Sequence, residues 1–199
     1  MDETVRHWLA LSTLPGCGSM TLLKLLNVFL TPEALLMASE TALCAAGASQ
    51  SCIRRLKTPD WSVVERCLVW QAAATQRHIL HWHDWRYPQL LRQIYAPPLV
   101  LFVCGDPLLL QQRQLAMVGA RKPTHSGLEV AYQWSGELAQ QQWVVTSGLA
   151  QGIDGASHQG CLNGVGQTIC TGFGFESNLS KVSYVAGTKN CSAWWRVAF

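Results

Sequence analysis

The sequence lacks an apolar run long enough to cross a membrane, and it lacks the basic start of an export signal. A membrane-spanning helix needs about 18 or more apolar residues in succession, and polar residues interrupt each apolar run of this chain well before that length. Asp2 and Glu3 stand near the start, where a signal peptide would carry positive charge. We therefore predict a cytoplasmic protein that has no membrane partner.

Paired cysteine motifs are also missing. The eight cysteines are scattered singly, without a Cys-x-x-Cys pair, so in a reducing compartment most of them should be small core residues rather than disulfides or ligands. His78, His81 and His83 crowd together, and His81 and His83 would share one face of a strand. Because no second cluster of matching ligands accompanies them, we predict no metal site.

The net charge does not decide whether the protein binds nucleic acid. The formal net charge is +3 and the isoelectric point is near 8.5, which permits nucleic-acid binding without requiring it, because affinity depends on clustered cations. The 199 residues are 49% hydrophobic. This composition suffices for one sizeable core and a small second domain.

Residues 1–76 are predicted to form a helical module. Helices are expected from Thr4 to Leu14, from Met20 to Phe29 and from Thr31 to Met37, with shorter pieces to about Gln76. The intervening Leu14-Pro-Gly-Cys-Gly-Ser19 resembles the turn of helix-hairpin-helix modules, whose glycine amides approach a DNA phosphate. The same glycines also suit a helix cap and a tight turn, and no basic cluster adjoins them, so we expect a structural turn.

Residues 77–113 are predicted to be an extended, proline-rich connection that contains a buried strand at residues 99–103. Trp82, Trp85 and Tyr87 could stack on nucleic-acid bases. Aromatic residues beside a Tyr-Pro turn more often pack that turn against the core, and we expect the packing role here.

From residue 114 onwards, two short apolar runs each end at a glycine. Residues 115–118 are predicted to form a buried parallel strand that stops at Gly119, and residues 143–146 a second strand that stops at Ser147 and Gly148. A helix should connect them, capped by Thr124 or Ser126 and ending near Gln142. Its predicted buried face comprises Leu128, Ala131, Ser135, Leu138 and Ala139.

A strand, helix and strand in this order form a crossover unit, so we predict an α/β fold with a partial Rossmann-like parallel sheet. Ligands of such sheets bind beyond the carboxyl ends of the strands, where the two glycine loops would meet. Arg121 and Lys122 would hold phosphates there, with help from amides around Gly119 and Gly148. The predicted phosphate site comprises Gly119, Ala120, Arg121, Lys122, Ser147, Gly148, Gln151, Gly152 and Asp154.

The same residues offer little for catalysis. Ser147 is a nucleophile by type, but no base is evident beside it, and Asp154 is expected to cap the helix that also carries His158. We predict no catalytic residues, no cofactor and no enzymatic activity. The enzymatic alternative is a Rossmann-like nucleoside monophosphate phosphoribohydrolase, whose glycine-rich run with catalytic Arg and Glu we do not find in the sequence.

These segments resemble the DNA-processing protein A family (DprA/Smf). The similarity covers four segments: Tyr87-Pro-Gln-Leu-Leu91, Pro97-Pro-Leu-Val-Leu-Phe102 with Gly105-Asp106, Val118-Gly-Ala-Arg-Lys-Pro-Thr124 with Gly127, and Ser147-Gly-Leu-Ala-Gln-Gly-Ile-Asp154 with His158. The resemblance implies a homodimer that binds single-stranded DNA and helps load a RecA-type recombinase during DNA uptake and natural transformation. It places Gly119, Arg121, Ser147, Gly148, Gly152 and Asp154 in the loops of the family's DNA pocket.

Two positions depart from the family pattern. The family commonly has serine where Ala120 stands and arginine where Gln151 stands. A lost hydroxyl donor and a lost cation should weaken phosphate binding. Each lost cationic contact should also reduce the slope of log affinity against log salt concentration by about one unit.

The tail departs further, since the resemblance is expected to hold only to Ile169. Trp194 and Trp195 must be encoded TGGTGG, which a shift of one base turns into the Gly-Gly of the family. One set of codons that can encode residues 171–181 likewise encodes, in the shifted reading frame, a loop that resembles the family's and ends in Tyr-Pro. We therefore expect a frameshift near Cys170, an out-of-frame and poorly ordered tail over residues 171–199, and loss of the dimer surface.

The resulting domain scheme has four parts. They are the helical module (1–76), described as helix-hairpin-helix or SAM-like, the connection (77–113), the first part of the Rossmann-like domain (114–170) and the tail (171–199). Loss of the second half would leave exposed strand edges and impair the protein. An inactive fragment is therefore a further alternative.

Overall fold

The computed structural model describes residues 3–164, 166–173 and 183–187. The chain divides into two compact units, residues 1–101 and 102–199. This division falls at neither of the two boundaries predicted around the connecting segment, at residues 76 and 113. The scheme of four parts stays a prediction.

The first unit is mainly helical. Its helices are capped by side chains at four N-termini, where Thr31, Ser39, Ser49 and Asp60 accept hydrogen bonds from backbone amides. The helices are α1 (Glu3–Ser12), α2 (Ser19–Phe29), α3 (Pro32–Met37), α4 (Glu40–Ala45), α5 (Gln50–Lys57) and α6 (Trp61–Ala72).

The core of the first unit includes the indole of Trp8, which is 1% exposed. Strand β1 (Arg77–His81) ends at His81, and His83 lies in the turn that follows. The prediction that the two histidines share a strand face is therefore wrong. Both rings instead contact Trp8, at centroid distances of 5.7 Å for His81 and 5.3 Å for His83. Their proximity reflects aromatic packing.

The Tyr-Pro turn packs as expected. Tyr87 is fully buried and its hydroxyl donates to the carbonyl of Pro98 over 2.6 Å, and burial raises the pKa of Tyr87. The guanidinium of Arg92 lies over the rings of Trp82 and Tyr87, 5.5 and 5.4 Å from their centroids. Trp85, in contrast, is 72% exposed. Two of the three aromatic residues are therefore structural.

The turn between α1 and α2, residues 14–19, lies against α5. Sγ of Cys17 in the turn is 3.0 Å from Sγ of Cys52 on α5. The last turn of α5 carries Arg54, Arg55 and Lys57, and the charge of Arg55 is close enough to favour the thiolate form of Cys17. The sequence shows no basic residues beside this turn, but the fold brings a basic helix end to it.

Strand β2 (Val100–Cys104), a neighbour of β1, contains the boundary between the units. In the second unit the strands lie in the order β6-β5-β4-β3, with β3/β4 and β4/β5 parallel and β5/β6 antiparallel. This helical region and small parallel sheet confirm the predicted fold class. The elements are β3 (Gln114–Ala116), α7 (His125–Gln140), β4 (Val144–Ser147), α8 (Ile153–Asn163), β5 (Thr168–Phe173) and β6 (Ser183–Gly187).

Strand β3 differs from its prediction. It spans three residues rather than the predicted 115–118, and it is the last strand in the order. Gln114 and Ala116 are exposed, and Val118 is 77% exposed in the following loop. The prediction of a buried core strand is wrong because β3 pairs with β4 on one side and, among the described residues, has no strand on the other.

Helix α7 begins as predicted, because Thr124 Oγ1 accepts a hydrogen bond from the amide of Gly127 over 3.1 Å. Ala131, Ser135 and Ala139 are buried, but Leu128 is exposed, which corrects one member of the predicted face. Gly160 of α8 packs directly on the carbonyl of Tyr132, whereas Leu128, about one helical turn earlier, borders an open groove between α7 and α8.

The tail prediction falls mostly outside the described residues. Residues 171–173 belong to β5, and residues 183–187 form β6, in which Gly187 lies opposite Ile169. Residues 174–182 and 188–199 are outside the described part of the chain.

Candidate functional site

Two glycine loops meet beyond β3 and β4. We call residues 117–123 the first glycine loop and residues 148–152 the second glycine loop. The amide of Ile153, directly after the second loop, donates to the carbonyl of Ala120 over 3.2 Å. The hydroxyl of Ser147, at the end of β4, donates to the carbonyl of Met117 over 2.6 Å. Direct hydrogen bonds therefore fix the first loop against β4 and the start of α8.

Two glycines permit this close approach. A Cβ atom on Gly119 would lie 2.6 Å from Cγ1 of Ile153, and a Cβ atom on Gly152 would overlap the carbonyl oxygen of Ala120. Gly152 also has φ of +89°, a conformation in which side chains other than hydrogen are strained. Both positions therefore require glycine for packing between the loops, and Gly152 requires it for backbone conformation as well.

Asp154 orders the second glycine loop. The N-cap of α8 is Gly152, so the prediction that Asp154 caps this helix is wrong. Asp154 lies in the first helical turn, is 8% exposed, and its Oδ2 accepts from the amides of Gly148 (3.2 Å) and Ala150 (3.4 Å). The amide of Gly148, which we expected to help hold a phosphate, already donates to a carboxylate.

Ser147 has a structural contact of the same kind. It is 2% exposed and its hydroxyl proton is directed at the carbonyl of Met117. This geometry leaves the hydroxyl inside the loop junction and no described base receives its proton. The arrangement does not resemble a nucleophile with an adjacent base.

Arg121 and Lys122 are the exposed cations of the first glycine loop. Within residues 3–164, the described ion pairs involve other basic side chains, namely Arg6 and Arg86. The loop backbone beneath Arg121 packs on Gly152. Two charged side chains thus project from a well-held loop and remain available to an anion.

A groove adjoins the second glycine loop. It lies between α7 and α8 and has a volume of about 510 Å³. Gln151 and Gly152 belong to both the second glycine loop and the groove, whereas the other lining residues were not among the site residues predicted from the sequence. The lining residues are His125, Leu128, Glu129, Tyr132, Gln151, Gly152, Gly155, Ala156 and Gln159.

The family of DNA recombination-mediator protein A matches this chain over residues 78–183. That range covers just over half of the 199 residues and includes both glycine loops. The chain belongs to this family. The resemblance to DprA/Smf proteins stated from the motifs is therefore confirmed.

Similar proteins include the DNA processing protein DprA of Bacillus subtilis, 45% identical over 85 residues, a match that covers 42% of this chain and 29% of that protein. Protein Smf of Escherichia coli is 35% identical over 104 residues, 51% of this chain and 28% of that protein. The chain thus aligns with less than a third of the length of these relatives.

The X-ray structure of DprA from Streptococcus pneumoniae has a similar fold. The TM-score is 0.66 at 23% identity, over 94% of this chain and 68% of that one. The family match extends to residue 183, past Ile169, where we expected the resemblance to end. The frameshift near Cys170 stays a prediction.

His158 lies on α8, four positions after Asp154, and is also buried. His158 is 1% exposed, with Nδ1 2.7 Å from Oγ1 of Thr168. Because Thr168 directs its proton at the carbonyl of Val145 over 2.6 Å, Nδ1 must be the donor to Thr168. Nε2 then faces Sγ of Cys170 at 3.6 Å as an acceptor.

Burial lowers the pKa of His158 to about 4, partly opposed by the charge of Asp154. The imidazole is therefore neutral at pH 7 and links α8 to β5 through Thr168 and Cys170. The sequence relates His158 only to the nearby Asp154, because Thr168 and Cys170 lie 10 and 12 positions further along the chain and give no local signal.

Within the described residues, no helix is long and apolar enough to cross a membrane. The same part of the chain contains no group of three or more His, Cys, Asp or Glu residues that could hold a metal ion.

Proposed function

We propose that this chain binds single-stranded DNA and acts as a recombination mediator. Arg121 and Lys122 contact backbone phosphates at the carboxyl ends of β3 and β4. The observation that carries this proposal is the pair of exposed cations on a loop held by backbone contacts with Gly152 and Ile153. A fixed loop loses little conformational entropy when its side chains bind an anion.

The remaining predicted site residues have supporting roles in this proposal. Gly119 and Gly152 allow the loops to approach, while Ser147 and Asp154 hold them in place. Asp154 already occupies the amide of Gly148, so this amide does not add to the phosphate contacts that we propose for Arg121 and Lys122.

Ala120 contributes its carbonyl to the loop junction, and Gln151 offers an uncharged polar group at the groove. Neither supplies positive charge. We therefore propose a weaker affinity and a shallower salt dependence than relatives with a hydroxyl and a cation at these positions would have.

The biological setting follows from family membership. We propose that the chain acts in the cytoplasm, with single-stranded DNA and a RecA-type recombinase as partners, during DNA uptake. Homodimer formation and loading of the recombinase belong to the same proposal. The matched segments of this chain cover less than a third of the length of these relatives.

Binding of the full chain to a fluorescent single-stranded oligonucleotide tests the phosphate role. Arg121→Ala should weaken binding and reduce the slope of log affinity against log salt by about one unit. Lys24→Ala is the matched control, because Lys24 is an exposed cation on α2, outside the proposed site. Equal affinities and slopes for wild type and Arg121→Ala would contradict the proposal. Absence of binding by the wild type would favour an inactive fragment.

A further inference from the structure

Two cysteines of the first unit face each other across a contact that joins distant segments. Cys17 lies in the turn between α1 and α2, and Cys52 lies in α5, 35 positions further along the chain. Their sulfur atoms are 3.0 Å apart, within S–H···S hydrogen-bond distance. The two thiols therefore approach each other without another side chain between them.

The backbone around Cys17 is less restricted than the backbone around Cys52. Cys52 is held in α5, and its amide donates to Oγ of Ser49 at the helix N-cap over 3.3 Å. Cys17 is flanked by Gly16 and Gly18, and a Cβ atom built on either glycine meets nothing within 4 Å. Packing at these glycines therefore does not restrict the turn, and the sulfur atoms, 3.0 Å apart, need to move only about 1 Å closer to form a covalent bond.

Exposure decides which thiol reacts first. Cys52 is 2% exposed, whereas Cys17 is only half-buried. A small disulfide in solution therefore reaches Cys17 before Cys52. Cys44 on α4 is exposed and will react with the same reagent, so the test must separate reaction at Cys44 from the Cys17–Cys52 pair.

We propose that Cys17 and Cys52 form a reversible disulfide by exchange with a small-molecule disulfide of the glutathione type. The thiolate of Cys17 attacks one sulfur of glutathione disulfide, the S–S bond breaks, and one glutathione thiolate leaves. The thiolate of Cys52 then attacks Cys17 in the mixed disulfide and releases the second glutathione. The two cysteines are oxidised, two glutathiones are formed, and both take up the protons that the cysteines lost.

The local electrostatics make this site slow to react at neutral pH. Burial, together with the adjacent Cys52 thiol, raises the pKa of Cys17, and the charge of Arg55 opposes this only in part. Because the thiolate is the attacking species, the rate of disulfide formation should rise with pH. The site is therefore a latent one rather than a highly reactive thiol.

The disulfide would tie the turn at residues 14–19 to the helix that carries Arg54, Arg55 and Lys57. Its formation closes a loop that includes α2, α3 and α4. Closure of a loop restricts the unfolded chain, so the oxidised first unit should unfold at a higher temperature than the reduced one. This inference revises the expectation that most cysteines are only small core residues.

The test is peptide mapping of the full chain after incubation with glutathione disulfide, without reducing agent. Trypsin places Cys17 and Cys52 on different peptides, but Cys44 shares the Cys52 peptide because no Lys or Arg lies between them. We therefore compare wild type with Cys44→Ser and Cys52→Ala. The expected result is a linked peptide pair in wild type and Cys44→Ser that is absent in Cys52→Ala and lost on reduction.

A second readout covers the case in which Cys52→Ala fails to fold. In Cys44→Ser, fragmentation of the linked pair should locate the bond at Cys17 and Cys52, and the yield should increase between pH 7 and pH 9. Persistent glutathione on Cys17 without a linked pair would overturn the proposal. So would linkage of Cys17 to any cysteine other than Cys52.

Discussion

Glycine serves different purposes in the two units of this protein. In the turn at residues 14–19, Gly16 has φ of +75° and a Cβ atom on it would meet nothing within 4 Å. In the second glycine loop, Gly152 has a similar φ of +89°, but a Cβ atom would overlap the carbonyl of Ala120. The first glycine serves conformation alone, whereas the second also serves close packing of two loops. Similar Gly-rich sequences therefore do not indicate similar sites.

We expect alanine to lower the free energy of unfolding more at Gly152 than at Gly16. Gly152→Ala combines left-handed strain with overlap of backbone atoms and should lower the free energy of unfolding by about 3 kcal/mol or more. Gly16→Ala carries only the conformational strain, about 1–2 kcal/mol. Denaturant unfolding of the two variants measures the difference. Equal losses would show that close packing at Gly152 is not the deciding factor.

Acidification should destabilise the second unit, because this unit contains a buried neutral histidine, His158. The folded pKa of His158 is about 4, and the unfolded value is about 6.5. Between these values the unfolded chain binds more protons, so stability is lost as pH falls from about 6.5 to about 4. The loss from this group should approach about 3 kcal/mol.

The check is denaturant unfolding from pH 7 to pH 4 in wild type and His158→Gln. The variant should be less stable at pH 7, because Thr168 loses its imidazole partner. It should also lose most of the pH slope in this window. A slope that survives the substitution unchanged would assign the acid sensitivity to other groups.

Local signals in the sequence predicted much of this fold. Thr124 followed by an amphipathic run correctly predicted the start of α7, and the second apolar run correctly predicted most of β4. Strand β3 was predicted too long because the apolar character of residues 117 and 118 continues into the first glycine loop. An apolar run alone does not distinguish a strand from the loop that follows it.

The contacts that shape the candidate site were less accessible to sequence reasoning. The sequence predicts that the two glycine loops meet, because both follow parallel strands. It does not show that Asp154 turns back to the amide of Gly148 instead of capping α8, or that Leu128 borders a groove. The first outcome depends on how the second glycine loop folds back on α8, and the second depends on how α7 packs against α8.

Hydrogen–deuterium exchange of the full chain, with and without single-stranded DNA, locates the DNA-binding surface. We predict that DNA slows exchange mainly in the first glycine loop, residues 117–123, and at the start of α7. The turn at residues 14–19 and the basic end of α5 should change little. Protection confined to that turn and to α5, with the first glycine loop unaffected, would contradict the account and assign DNA binding to the first unit.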